Sequence, residues 1–225
     1  MTLAALITSL RILGHDGPAD HTIFGEKLGA VPNGFPVDGS NTVFKIGGQD
    51  GHSTPIVAGS VYLTYPADPT KRRITTGFTL SDAVNGFITF SVAPASSTEI
   101  LADYNYYWFS DAQLTEFINE AAQTTVAGTT DPTTIDANLV QAMLQFALAS
   151  FFQSRASQYA ERYATSGGQA GTSVDQVAKM YLDLAKAATI RATQYRDDYY
   201  KRQGQREAPS SVVVNFRIDP ITPFR

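Results

Sequence analysis

Between residues 99 and 118 the spacing of apolar side chains changes period. In EILADYNYYWF, Ile100, Ala102, Tyr104, Tyr106 and Trp108 recur at every second position, so they share one face of an extended strand. From Ser110 onward the interval becomes three or four, and Leu114, Phe117, Ile118 and Ala121 line one side of a helix. The change carries its own punctuation. Ser110 with Gln113 three residues on has the spacing of a capping box, and Phe109 before the cap can meet Leu114 as a hydrophobic staple. A chain with both periods in immediate succession must build both sheet and helix, which excludes the all-α and all-β classes. Tyr104, Tyr106, Trp108 and Phe109 crowd the switch and read as a sheet–helix junction buried between the two elements. A platform for carbohydrate or stacked bases is the alternative use of such a cluster.

The rest of the chain extends both patterns. Leu3, Leu6, Ile7, Leu10 and Leu13 follow Thr2 at helical spacing, and Gly14 ends the run. Residues 15–40 are rich in Gly and Pro and read as a loop with one helical turn near Gly25–Leu28. Five short strands are expected at 41–46, 56–65, 74–80, 86–92 and 99–107, with Ile88, Phe90 and Val92 on one face and Asn85–Gly86 reversing a hairpin. Asp131–Pro132 announces a second helix over about 134–165, whose run LVQAMLQFALASFFQ is apolar on nearly every side and must be covered by its own chain or a neighbour. Ser173 with Gln176 spells another capping box, opening a helix to about Gln203. The final segment alternates at Val212, Val214, Phe216 and Ile218, while Pro209, Pro220 and Pro223 exclude it from a helix or a central ladder.

The expected fold is α+β: a multi-helix bundle with an inserted small antiparallel β-sandwich or barrel and an extended C-terminal arm. Residues 1–40 form an N-terminal helix and loop belonging to the helical core, 41–107 the β module, 108–206 the helical core, and 207–225 the arm.

Chemistry is sparse. There is no cysteine among the 225 residues, which removes disulfides, thiolate metal sites and a cysteine nucleophile. His15, Asp16, Asp20 and His21 lie in HDGPADH with His52 distant; in a Gly/Pro loop they read as exposed side chains and not as a metal site. GGQAGTS (Gly167–Ser173) has the glycines of a phosphate loop but no lysine, and it follows a helix. Glu116 and Glu120, one helical turn apart, belong to a wet face. No HExxH motif or nucleophile elbow occurs, so the expectation is a protein that is not an enzyme and needs no cofactor. Residues 1–150 hold 6 Lys/Arg against 14 Asp/Glu, whereas 151–225 hold 11 against 7. The basic end reads as a helix of mixed, solvated charges. No stretch reaches the ~20 apolar residues of a membrane span, and the protein reads as soluble and intracellular when made.

LITSLRILGHD and YWFSDAQLTEFINEAA resemble the two opening helices of tailed-phage head-to-tail adaptor proteins, the head-completion or connector proteins. In that family an arginine-bearing helix ends in a Gly/Asp turn, an aromatic-Ser-Asp-x-x-Leu cap opens the next helix, and two longer helices and an extended arm follow. VFKIGG, TPIVAGSVYLTY, GFTL, NGFITFSVAPA and ADYNYYWFSD are similar to β-hairpin modules of other phage structural proteins. The resemblance implies a structural virion protein in the neck between capsid and tail, assembled in the host cytoplasm. It would form a homo-oligomeric, usually dodecameric, ring beneath the portal protein and above a tail or stopper protein, and would line part of the DNA channel. Contact with double-stranded DNA would be non-specific, and no membrane is involved. The arm residues Val212, Val214, Phe216, Ile218, Ile221 and Phe224 would dock on portal or a neighbouring copy. The competing reading is a glycan-binding β module of a phage tail or surface protein.

Overall fold

A computed structural model describes residues 1–29, 36–47, 54–68, 70–96, 98–165 and 171–204. The fold is α+β: four helices and two three-stranded antiparallel sheets. The chain divides into two compact units, one of Ile7–Thr115 and the other of Met1–Leu6 with Glu116–Arg225.

The first unit holds both sheets. One has the order β1 (Thr22–Lys27), β6 (Leu101–Asn105), β3 (Tyr62–Thr64), and the other the order β2 (Val43–Lys45), β5 (Phe87–Phe90), β4 (Phe78–Asp82). Both sheets feed one apolar cluster. Phe44, Ile88 and Phe90 come from one, Leu63, Ala102 and Tyr104 from the other, and Ile46, Ile56 and Ile100 from flanking residues. Alternation places them, since β5 and β6 bury every second side chain. Val92, expected on the face of Ile88 and Phe90, lies beyond the end of β5 and is 76% exposed.

Residues 22–27 correct the expected loop and helical turn, because they form a strand paired with β6. A bulge explains why the pattern was hidden. The register shifts between Ile23 and Glu26, so these two residues face inward although they are three apart. Glu26 is buried and its Oε2 accepts hydrogen bonds from the Gly47 N–H and the Tyr104 hydroxyl. The strand expected at 56–65 is also shorter. Ile56 makes an isolated bridge to Tyr106, and a turn held by the Ser60 N–H donating to the Val57 carbonyl separates it from β3. Asn85–Gly86 do reverse the β4–β5 hairpin: Asp82 accepts from the Asn85 N–H and side-chain amide, and Gly86 has φ +75°.

Helix α1 (Leu3–Gly14) ends at the expected glycine, and its closing turn uses the next two residues. The Asp16 N–H reaches the Arg11 carbonyl and the His15 N–H the Ile12 carbonyl, which is a Schellman closure, and His15 takes the left-handed conformation at φ +53°. Helix α2 (Asp111–Thr125) opens with the expected capping box. Gln113 Oε1 accepts from the Ser110 N–H at 2.9 Å, and Ser110 Oγ accepts from the Gln113 N–H at 3.3 Å. The staple residues Phe109 and Leu114 are both buried.

In the second unit Asp131 caps only a short 3₁₀ turn, Pro132–Thr134. Ile135 is extended, Asp136 holds a turn with Asn138, and α3 starts at Val140, later than expected. Helix α3 (Val140–Thr165) runs antiparallel to α4 (Gly171–Arg202), as ring contacts show: Phe152 with Tyr181, and Phe146 with Arg196. The apolar run is covered within the chain, since residues from Ala142 to Ala156 are almost continuously buried. Because α4 is already helical at Gly171, Ser173 lies inside it and not at its cap.

Candidate functional site

The docking residues Val212, Val214, Phe216, Ile218, Ile221 and Phe224 lie outside the described residues, as does His52. The junction residues are described, and each has a different environment. Tyr104 is 1% exposed in the β core, Tyr106 packs against the same cluster, and Phe109 is buried beside the cap. Trp108 stacks on His21 with ring centres 4.1 Å apart. Tyr104 and Phe109 are buried, while Tyr106 and Trp108 are partly covered by their own chain.

A buried ion network organises that junction, and the sequence reading did not identify it. Arg11, in the last turn of α1, donates to Asp16 Oδ2 at 2.7 Å, to the Phe109 carbonyl at 2.9 Å and to Asp111 Oδ1 at 2.8 Å. Its guanidinium carbon also lies 3.7 Å from the centre of the Tyr107 ring. Asp16 is fully buried, and its second oxygen accepts from the Trp108 N–H at 2.6 Å and lies 3.6 Å from His21 Nε2. One guanidinium therefore joins the end of α1 to the segment leading into α2, and one carboxylate fixes the backbone at Trp108. A planar fork suits this task better than an ammonium, because three acceptors at different angles are met together.

The histidines of the HDGPADH stretch separate. His15 is exposed, whereas the His21 side chain keeps only 12% exposure, so the expectation that it is an exposed loop residue is corrected by its stacking on Trp108. Among the described residues no group of three or more His, Cys, Asp or Glu is placed to hold a metal ion. Glu116 and Glu120 lie on the exposed side of α2. No helix among the described residues is long and apolar enough to cross a membrane.

In the helical unit, Arg155 is 2% exposed, donates to Gln158 Oε1 at 2.9 Å and sits 4.9 Å from the Tyr159 ring centre. Burial pushes the Tyr181 phenol above its ordinary pKa, and the neighbouring Tyr159 adds to the shift, so Tyr181 stays protonated at neutral pH. Several apolar side chains of α4 stay exposed. Met180 is 49% exposed, Leu184 41% and Ile190 59%, and Tyr195 is also exposed. Met180 and Leu184 are one turn apart and flank a shallow depression with Gln176, Lys179 and Asp183.

No protein-family model, curated protein or solved structure gives a match to this chain.

Proposed function

We propose that this chain is a structural virion protein of a tailed phage: an adaptor that closes with copies of itself into a ring joining the portal to the tail or stopper protein. The ring would surround part of the DNA channel. The observation that carries this reading is the exposure of Met180 and Leu184, one turn apart on α4 along the edge of the stripe that buries Tyr181, Ala185, Ala188 and Ala192, with Tyr195 exposed further along the same edge. An apolar stripe wider than its own chain covers leaves an edge for a partner, and a repeated copy of the same chain supplies that partner at every position of a closed ring. The order of helices supports the same reading, since a first helix carrying Arg11, a capped second helix and two longer helices follow the pattern of the resemblance, with the β unit inserted between the first two.

In this reading the ring works by assembly and not by catalysis. The arm, residues 207–225, reaches the portal or the next subunit and binds in extended form through Val212, Val214, Phe216, Ile218, Ile221 and Phe224. Any contact with DNA in the channel is to phosphate charge, and it weakens as salt rises.

Deleting residues 209–225 is expected to leave the helical signal in far-ultraviolet circular dichroism intact and to abolish association with portal. Replacing Phe216 by Ala weakens association by about 3 kcal/mol if its ring is fully covered. Unchanged portal affinity of the truncated protein would refute the role given to the arm.

A further inference from the structure

Phe24 is exposed, and with the half-buried Tyr62 it stands over the outer face of the β1–β6–β3 sheet. On β6 the inward residues are Ala102 and Tyr104, so Asp103 and Asn105 point away from the core. Their register partners are Tyr62 on β3 and Thr22 on β1. At the β1 bulge Gly25 takes φ +68°, and Phe24 is left 75% exposed. Between Phe24, Tyr62, Arg73, Asp103 and Asn105 lies a depression of about 380 Å³, closed at one side by the turn of Ala58–Ser60.

The polar groups in this depression are held in place yet retain bonding capacity. Asp103 Oδ1 accepts from the Gly25 N–H at 2.8 Å, and among the described residues nothing donates to Oδ2. Asn105 Oδ1 accepts from the Thr22 hydroxyl at 2.9 Å, and its amide hydrogens remain available. The Arg73 guanidinium is parked 4.5 Å from the Tyr62 ring centre and makes no ion pair with a described carboxylate. One carboxylate and one guanidinium offset each other, so neither an anion nor a cation is favoured. A ligand that both donates to Asp103 and accepts from Asn105 and Arg73 carries hydroxyl groups. One that also covers an exposed phenyl ring has an apolar C–H face.

We propose that this depression is a binding site for a neutral sugar residue, with Phe24 as the stacking surface and Asp103, Asn105 and Arg73 as the hydroxyl-reading groups. Its volume falls at the small end of ligand pockets, which suits one or two sugar rings. The site is independent of the ring proposed above, because every residue in it belongs to the β unit.

Titrating the isotope-labelled full chain with glucose, galactose, mannose and N-acetylglucosamine in separate series, and following backbone amides by NMR, tests this directly. At least one sugar should shift Gly25, Gly59, Asp103 and Asn105 saturably in the millimolar range. Phe24→Ala and Asp103→Asn should each raise the dissociation constant about tenfold. Phe24 is exposed, so its replacement leaves folding intact, and it serves as the test even where the Asp103 variant folds poorly. Absence of saturable shifts with all four sugars, or saturation unaltered by Phe24→Ala, would overturn the site. Shifts of the same amides on dilution, without sugar, would overturn it too and assign the face to a second copy of the chain.

Discussion

At the scale of single residues, Arg11 is where the fold is most exposed to failure. Its guanidinium serves Asp16, Asp111 and the Phe109 carbonyl, and Asp16 is wholly buried. Removing the cation leaves that carboxylate buried without its guanidinium, beside the Trp108 N–H and the His21 ring. Arg11→Ala is therefore expected to lower stability by about 3–5 kcal/mol in urea denaturation, and adding Asp16→Ala to it should cost much less than Asp16→Ala alone. A loss under about 1 kcal/mol would mean that water replaces the guanidinium without penalty. The long-range contacts of this network were not legible in the sequence, because Arg11 lies 98 and 100 residues from Phe109 and Asp111. The capping pair Ser110 and Gln113 was legible for the opposite reason: both partners sit within one helical turn, so spacing alone determines the bond. His21 was misread because its ring partner, Trp108, comes from the far end of the β unit.

At the scale of elements, the β4–β5 hairpin shows how one turn residue holds several strands in register. Gly86 has φ +75°, and a Cβ there would collide with the carbonyl oxygen of Ile46, whose N–H donates to Gly86 at 2.8 Å. Gly77 also has a positive φ, but a Cβ added there meets nothing within 4 Å. Gly86→Ala is thus expected to destabilise by about 3 kcal/mol or more, and Gly77→Ala by only the conformational term of about 1–2 kcal/mol. Equal losses in thermal or urea melts would show that backbone strain alone decides both. Elements with intact periodicity were readable: α1, α2, β5 and β6 lie where alternation or helical spacing put them. β1 was lost because its bulge breaks the period of two, and the start of α3 was placed too early because Asp131–Pro132 opens a single 3₁₀ turn with the same signal as a long helix. The crowding of Tyr104, Tyr106, Trp108 and Phe109 was visible in the sequence. The depression on the outer sheet face was not, since it joins β1, β3 and β6 with loop residues and no local pattern links them.

At the scale of the whole molecule, five aspartates spread over both units share one electrostatic device. Asp38 is held below its ordinary 3.8 by the N–H groups of Ser40 and Asn41, Asp68 and Asp131 by the hydroxyls of Thr70 and Thr133, Asp82 by the Asn85 amide, and Asp136 by the Asn138 N–H. A depressed folded-state pKa stabilises above the unfolded value and loses that effect as pH falls through the folded one. The melting temperature should therefore be insensitive to these groups above about pH 5 and decline below about pH 4. A melting temperature that held steady or rose below pH 4 would contradict these turn contacts. The proposed ring closes through the exposed apolar edge of α4 at Met180 and Leu184. At helical spacing Leu184 falls in one stripe with Tyr181 and Ala188 and reads as covered, and α3 reads as the helix most in need of cover, whereas the chain covers α3 itself and leaves Met180 and Leu184 exposed. Native mass spectrometry of the full chain, alone and mixed with the portal protein proposed as its partner, measures this most directly. A closed ring of copies is expected, free or on that portal, that Leu184→Lys reduces to single subunits without loss of helix content. Single subunits of the unaltered chain in both samples, or rings indifferent to Leu184→Lys, would contradict it.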